Sequence, residues 1–415
     1  MASLKPVRGT HDLLPEEARR AYHVTQVGRI LAERYGYDEA ATPIFEFSEV
    51  FTRTLGETSD VVTKEMYTFT DKGGDSITLR PEGTAGIARA LISGGLSQNL
   101  PLKLFYAGPM FRYERPQRGR LRQFHQIGVE LLGVADPVGD VEVIALGAAV
   151  LDELGLQENT KLEINTLGNT ESRSAYRNVL IEYFGDHWEN LSPDSQARLK
   201  RNPLRILDSK DEGDRRIVAG APIFDDSLDS ESQDFFAEVC AGLEILEINW
   251  YRNPRLVRGL DYYCHTAFEF TTEALGAQSA VLAGGRYDGL VEQMGGASTP
   301  GVGWASGIER LSMLIDDIPP RRRPFAIVPL GNAAEEFCLK LTNRLRRAGL
   351  IVDLSYRGKM KQRMKRANNL NARAAIIIGD DELEQNSATV RDLDSGEQEL
   401  VLLHDLQVRL ENFPH

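Results

Sequence analysis

The stretch KLFYAGPMFRYERPQRGRLRQFHQIGVE, residues 103–130, reads as a strand, an arginine-rich loop and a second strand. Side chains alternate with a period of two along both flanks, Lys103 to Tyr113 and Gln123 to Leu131. Tyr106, Gly108, Met110 and Arg112 therefore share one face of the first strand. Gln126, Gly128 and Glu130 share one face of the second, with His125, Ile127 and Val129 opposite. Such a hairpin presents Arg112, Gln126 and Glu130 on one surface. Gly108 and Gly128 weaken the strands they sit in, so the expectation is a floor over which a ligand lies close to the backbone. The solvated face of an antiparallel sheet is the ordinary alternative. It leaves the glycines unexplained, as well as the five arginines and single glutamate between Arg112 and Arg122.

Outward from this hairpin, the pattern predicts a helix that Asp12 caps and Pro15-Glu16-Glu17 open. Gly36 lies at its exit, and Ala21, Val24, Gly28, Leu31 and Tyr35 share one face. Extended segments follow at 41–45, 66–70 and 76–80, then the hairpin, a helix over 141–154 and a strand over 161–167. From 170 to 246 the texture turns polar and helical, which reads as an insertion or as a helical extension of the same core. Strand-rich sequence resumes at 247–270 and 280–282. A Pro/Arg linker, 317–324, precedes strand–helix alternation from Phe325 to Ile378, which predicts βαβ units and a mostly parallel sheet.

With 415 residues, 42% of them apolar, the chain has material for two or three domains at roughly 150 residues each, which excludes a disordered tail protein. Its three cysteines form no Cys-x-x-Cys pair, against both a disulfide framework and a structural zinc site. No apolar run approaches the ~20 residues of a membrane span, and the first residues lack a secretory signal. A cytoplasmic protein without a membrane partner is expected. The net charge of −13 argues against a generally basic surface. Positive charge is instead local: residues 354–379 hold Arg357, Lys359, Lys361, Arg363, Lys365, Arg366 and Arg373 with no acid.

Three further stretches carry chemistry-bearing side chains. Arg258-Gly259-Leu260-Asp261-Tyr262-Tyr263 can bind an anion and offer phenol hydroxyls. Ala283-Gly284-Gly285-Arg286-Tyr287-Asp288-Gly289 is a glycine turn with a Tyr and an Arg. Gly301 to Arg310 reads as a glycine-punctuated strand entering a helix, a place suited to phosphate, although it matches neither the P-loop nor the Rossmann fingerprint. No nucleophile-and-base arrangement stands out.

Together these stretches resemble the class II aminoacyl-tRNA synthetases, and within them the histidyl-tRNA synthetase family. The Arg112 hairpin resembles the class's motif 2, Gly301–Arg310 its motif 3, and Thr42-Pro43-Ile44-Phe45-Glu46 the place of motif 1. The 258–263 and 284–288 stretches resemble the two histidine-specific motifs, and Arg80-Pro81-Glu82-Gly83-Thr84 with Phe124-His125-Gln126 fit the same family.

The resemblance implies an α+β class II synthetase catalytic domain, an antiparallel sheet flanked by helices, with a helical insertion and a C-terminal α/β anticodon-binding domain. The implied divisions are 1–169 and 247–320 for the core, 170–246 for the insertion, 317–324 for the linker and 325–415 for the anticodon-binding domain. It implies a homodimeric ligase that activates L-histidine with ATP and Mg²⁺ and charges tRNA(His). Glu82, Gly83, Thr84 and Gln126 would serve the α-ammonium end. Glu130 and Tyr263 would face the imidazole, with Tyr262 and Tyr287 shaping the pocket. Arg112, Arg120 and Arg310 would grip ATP, and Arg258 with Arg112 would stabilise the transition state. Gln117, Arg118, Lys359, Lys361 and Lys365 would meet tRNA. Metal ligands are not assigned. The rival implied by the same resemblance is a catalytically inactive, histidine-sensing regulatory subunit of ATP phosphoribosyltransferase.

Overall fold

The computed structural model describes residues 4–56, 59, 61–257, 262–276 and 280–414. Two compact units divide the chain, Met1–Ile318 and Pro319–His415.

The first unit runs through α1 (Pro15–Arg34), β1 (Asp38–Glu39), β2 (Phe45–Phe47), α2 (Ser48–Thr52), β3 (Tyr67–Thr70), β4 (Ser76–Leu79) and α3 (Thr84–Ser93). The hairpin β5 (Leu102–Phe111) and β6 (Gln123–Leu132) comes next, then α4 (Pro137–Glu153) and β7 (Lys161–Thr166). Four helices follow, α5 (Thr170–Asp186), α6 (Pro193–Arg201), α7 (Glu212–Ala219) and α8 (Ser230–Ile245). The unit closes with β8 (Trp250–Arg252), β9 (Cys264–Thr271), β10 (Ala280–Arg286), α9 (Leu290–Gln293), β11 (Gly301–Gly307) and α10 (Ile308–Leu314).

Helix α1 differs from expectation at its start. Leu14, not Asp12, is the N-cap, and no side chain caps it. Pro15 at the first position, with Glu16 and Glu17 against the positive end of the helix dipole, suffices to begin the helix. Gly36 takes φ +80° at the exit, where only glycine is unstrained.

The main sheet has the order β1-β5-β6-β11-β10-β9-β7-β8. Its six inner strands pair antiparallel, while β1 and β8 lie parallel at the edges. The alternation read in the hairpin sorts its residues between two cores. Phe105, Ile127, Val129 and Leu131 join a cluster with Val24 and Leu31 of α1 and Ile144 and Leu146 of α4. Tyr106 and Met110 join another with Ile87 and Leu91 of α3. A small sheet, β2-β4-β3, stands apart from the main one. Between α5 and α8 the chain builds a core of its own from Tyr176, Leu180, Phe184, Ile206 and Phe224. Helix α8 does not share it: Val239 and Leu243 pack into the first cluster.

The second unit contains β12 (Phe325–Pro329), α11 (Asn332–Arg347), β13 (Val352–Leu354), α12 (Met360–Asn369), β14 (Ala374–Ile378), α13 (Asp380–Glu384), β15 (Ser387–Asp392), β16 (Gln398–Leu402) and α14 (Leu406–Glu411). Its sheet, β13-β12-β14-β15-β16, is mixed rather than mostly parallel. The βαβ alternation gives the parallel pairs of β12 with β13 and β14, but β15 and β16 add antiparallel. Asp392 makes that final hairpin possible, accepting the N–H groups of Asp394 (2.7 Å) and Ser395 (3.1 Å). No helix among the described residues is long and apolar enough to cross a membrane.

Candidate active site

A cleft of about 410 Å³ lies against β6, β9, β10 and β11, and Glu82, Thr84, Arg112, Arg120, Gln126, Tyr262, Tyr263 and Arg310 all line it. Segments more than two hundred residues apart in the chain thus converge on one cavity.

Its acidic end is built at the start of α3. The Glu82 carboxylate accepts the N–H groups of Thr84 (2.6 Å) and Ala85 (2.8 Å), where unpaired amides and the helix dipole favour an anion. Thr84 donates its hydroxyl to Glu130 at 2.6 Å, and Tyr287 donates to the other Glu130 oxygen. Glu130 is only 1% exposed. Burial pushes its pKa up to about 8; the Thr84 and Tyr287 hydroxyls oppose the rise and Glu82 adds to it. Burial also raises Glu82, against the pull of the two amides. At neutral pH this pair of acids therefore holds a proton. The Gln126 amide oxygen beside them is buried without a hydrogen-bond partner among the described residues, an acceptor waiting for a donor.

Glu130 and Tyr287 do not form the cleft wall; they lie one layer beneath it. Gly303, which does line the cleft, leaves the space that the Glu130 carboxylate fills, since a Cβ there would sit 1.9 Å from it. The expectation of a glycine floor under the ligand needs correction. A Cβ on Gly128 or Gly83 would come within 2.3 Å of the Tyr106 ring, and one on Gly108 within 2.4 Å of the Arg80 guanidinium. These glycines make room for protein side chains. Arg286, in the glycine turn before Tyr287, is likewise internal: wholly buried, it is paired with Asp140 and bonded to Asp288 at 3.0 Å.

The basic end carries three guanidinium groups. Arg112 donates to the Pro81 carbonyl (2.9 Å) and lies over Phe124. Arg120 pairs with Glu114 at 2.6 Å. Arg310 is held by the carbonyls of Gly119 (2.9 Å) and Ala280 (2.7 Å). Burial and then Arg120 push the Arg310 pKa down, with Glu114 opposing and Arg112 adding. Cations gathered at this cost become favourable when an anion arrives.

Gln117 and Arg118 sit exposed at the tip of the β5–β6 loop, in a tight turn closed by backbone bonds between Gln117 and Arg120. In the second unit Lys359, Lys361 and Lys365 are exposed at and near the start of α12. Other members of that basic run are structural. Arg363 is buried against the carbonyls of Gly358 and Ser355, Arg366 forks onto Asp353, and Arg373 reaches the carbonyl of Pro414. Arg258, expected to be catalytic, lies outside the described residues, as do Gly259, Leu260 and Asp261.

The cleft also receives residues that no sequence pattern pointed to: Asp208 and Lys210 from the helical segment, and Glu114, Glu269 and Glu309. Glu309 accepts the His125 backbone N–H (3.0 Å) and meets its ring Nδ1 (2.8 Å). Among the described residues no three His, Cys, Asp or Glu side chains cluster as a metal site.

Comparison with known proteins extends the geometry. The histidyl-tRNA synthetase family profile matches residues 9–171 and 200–311, and an anticodon-binding domain profile matches 325–412. A histidine–tRNA ligase of Rhodospirillum rubrum is 61% identical over 414 residues, covering 100% of both chains. One from Gluconacetobacter diazotrophicus is 56% identical over 96% of each chain. The crystal structure of apo Staphylococcus aureus histidyl-tRNA synthetase superposes with a TM-score of 0.83 at 37% identity, covering 99% of this chain and 100% of the other.

Proposed function

The chain belongs to the histidyl-tRNA synthetase family, and from that premise we propose that it activates L-histidine with ATP and transfers the histidyl group to the 3′-terminal adenosine of tRNA(His). The observation that carries this reading is one cleft lined at one end by Glu82 and Thr84, with Glu130 just beneath them, and at the other by three arginines.

Adenylation suits such a site. A histidine carboxylate oxygen attacks the α-phosphorus of ATP in line, a C–O–P linkage forms, and the bond to pyrophosphate breaks. No proton has to move, so orientation and fixed positive charge supply the catalysis. Arg112, Arg120 and Arg310 are assigned to the phosphates, and Arg258 with Arg112 to the charge that develops between carboxylate and α-phosphate. Gln126, Glu82 and Thr84 are assigned to the α-ammonium group. Glu130 and Tyr263 are assigned to the imidazole; Glu130 meets a ring nitrogen by exchanging the hydroxyl of Thr84 or Tyr287 for it. A substitute amino acid that leaves these buried groups unpaired is rejected at a cost of several kcal/mol, roughly a thousandfold. Mg²⁺, when bound with ATP, would neutralise phosphate charge; with no ready-made cluster of side chains among the described residues to hold it, the phosphates themselves and one of the cleft carboxylates would be its ligands.

In this reading residues 1–169 and 247–320 are the catalytic core, 170–246 the insertion, 317–324 the linker and 325–415 the anticodon-binding domain. Gln117 and Arg118 meet the acceptor end of tRNA, and Lys359, Lys361 and Lys365 its backbone. A homodimer accounts for the exposed Phe45, Phe47 and Phe69 of the small sheet, and the cytoplasm is where such a ligase works. The histidine-sensing regulatory reading is disfavoured by the anticodon-binding match at 325–412.

The test is amino-acid-dependent ATP–pyrophosphate exchange with all twenty amino acids, beside Arg258→Ala. Exchange with histidine alone, abolished in the variant, is expected. Folded protein that binds histidine without exchange would transfer the case to the regulatory reading.

A further inference from the structure

The helical segment between α5 and α8 touches the cleft at one place, the loop that carries Asp208 and Lys210. The loop is not a loose excursion. Leu207 is buried in the segment's own core. Ser209 donates its backbone N–H to Ile206 (2.9 Å) and its hydroxyl to Asp214 (2.6 Å). Asp214 is fully buried and also accepts from the Ser192 N–H (2.8 Å), the Ser192 hydroxyl (2.7 Å) and the Ser195 hydroxyl (2.6 Å). One carboxylate thus ties the start of α6 to the cleft loop. Asp211 then caps α7 through the N–H groups of Gly213 and Asp214. Ser209 and Asp211, on either side of Lys210, are anchored, while the Lys210 side chain is exposed at the cleft beside the likewise exposed Asp208 and stands in no ion pair among the described residues.

We infer that Lys210 is a phosphate-binding residue of the cleft, delivered by the helical segment and positioned by Asp214 through Ser209. A lone ammonium on a fixed loop, facing a cavity already lined by three guanidinium groups, adds a point charge for a polyanion. The chemistry recognised is a phosphate oxygen. Two sources share it, the triphosphate of ATP and the terminal phosphodiester of tRNA. The inference rests on the ligase reading above.

The experiment uses the full-length protein as wild type, Lys210→Ala, Lys210→Arg and Ser209→Ala. Two assays separate the sources: ATP–pyrophosphate exchange without tRNA, and transfer from preformed adenylate at varied tRNA concentration. Lys210→Ala is expected to raise the KM for ATP in exchange about tenfold, with Lys210→Arg restoring most of it. Ser209→Ala is expected to raise the same KM about threefold with kcat unchanged, as loosened positioning requires. If exchange is unmoved but half-saturation by tRNA rises about tenfold, the phosphate belongs to tRNA and the inference stands with that source. Unchanged KM values in both assays, from an enzyme whose wild type is active, overturn it. Wild-type protein without histidine-dependent exchange fails the ligase reading itself, a distinct result.

Discussion

Glu130 under the cleft and Asp214 in the helical segment are both buried carboxyls ringed by hydroxyl groups, yet they are held in opposite charge states. Glu130 has two hydroxyl donors, Thr84 and Tyr287, and a second acid, Glu82, nearby; burial dominates and pushes it up to about 8. For Asp214 burial also acts upward, but the Ser192 amide and then the hydroxyls of Ser195, Ser209 and Ser192 outweigh it and hold the carboxyl below its ordinary value. Burial and donor number together decide the outcome, because Glu130 is the more deeply desolvated of the two and each hydrogen bond to the anion offsets part of that cost. A carboxylate saturated by four donors has nothing left to offer a ligand and serves as a structural tie. A carboxyl short of donors and kept neutral is poised to ionise when a cation arrives.

The largest expected difference lies in catalysis. Glu130→Ala should lower kcat/KM for histidine-dependent exchange roughly a thousandfold, whereas Asp214→Asn should leave kcat within about threefold. Equal losses in the two variants would erase the distinction. Stability should rank them in the other direction. Asp214→Asn removes an anion from four donors and should destabilise the helical segment by about 2–3 kcal/mol, seen as early cleavage between α5 and α8 in limited proteolysis.

Acid and alkali should then separate them. The folded-state pKa of Glu130, about 8, lies above its ordinary 4.5. The stability it contributes is therefore fully present below about pH 4.5 and is lost as pH rises toward 8. Asp214 is depressed, so its contribution is present above the ordinary aspartate range and is lost as pH falls below it. Melting curves of the ligand-free protein should flatten on the alkaline limb in Glu130→Gln and on the acid limb in Asp214→Asn; unchanged limbs would count against both assignments. Histidine binding should also release up to about one proton at pH 7 as its ammonium group favours the ionised acids. Titration calorimetry in buffers of different ionisation enthalpy measures this, and a result of zero contradicts a neutral Glu130. The smallest effect is expected far from both carboxyls. Lys361→Glu with Lys365→Glu should weaken tRNA binding several-fold in a salt-dependent way and leave exchange intact.

Much of this molecule is legible in local sequence because the relevant physics is local. Period-two alternation in residues 103–130 placed Gln126 and Glu130 on the face that carries Tyr106, and the register confirms it with Gly108 opposite Gln126 and Tyr106 opposite Gly128. The helix of α1, the break before Phe325 and the βαβ start of the second unit follow from spacing and composition alone. The 258–263 and 284–288 motifs identified the family without any contact being known.

Other features depend on residues that meet only in three dimensions. No local rule says that Gly108, Gly128 and Gly303 are spaces for Arg80, Tyr106 and Glu130. The final β15–β16 hairpin departs from the alternation that preceded it. Within one run of basic residues, Arg363 turned inward to backbone carbonyls while Lys361 stayed in water. Lys210 lies in polar, featureless sequence, and only the fold of the segment around Asp214 brings it to the cleft. The sequence by itself determined the secondary-structure pattern, the family and the residue types of the site, since these rest on backbone periodicity and near neighbours. Which carboxyl is neutral, which glycine is filled and which lysine reaches the cleft were decided by tertiary structure, because burial and hydrogen-bond count are sums over distant parts of the chain.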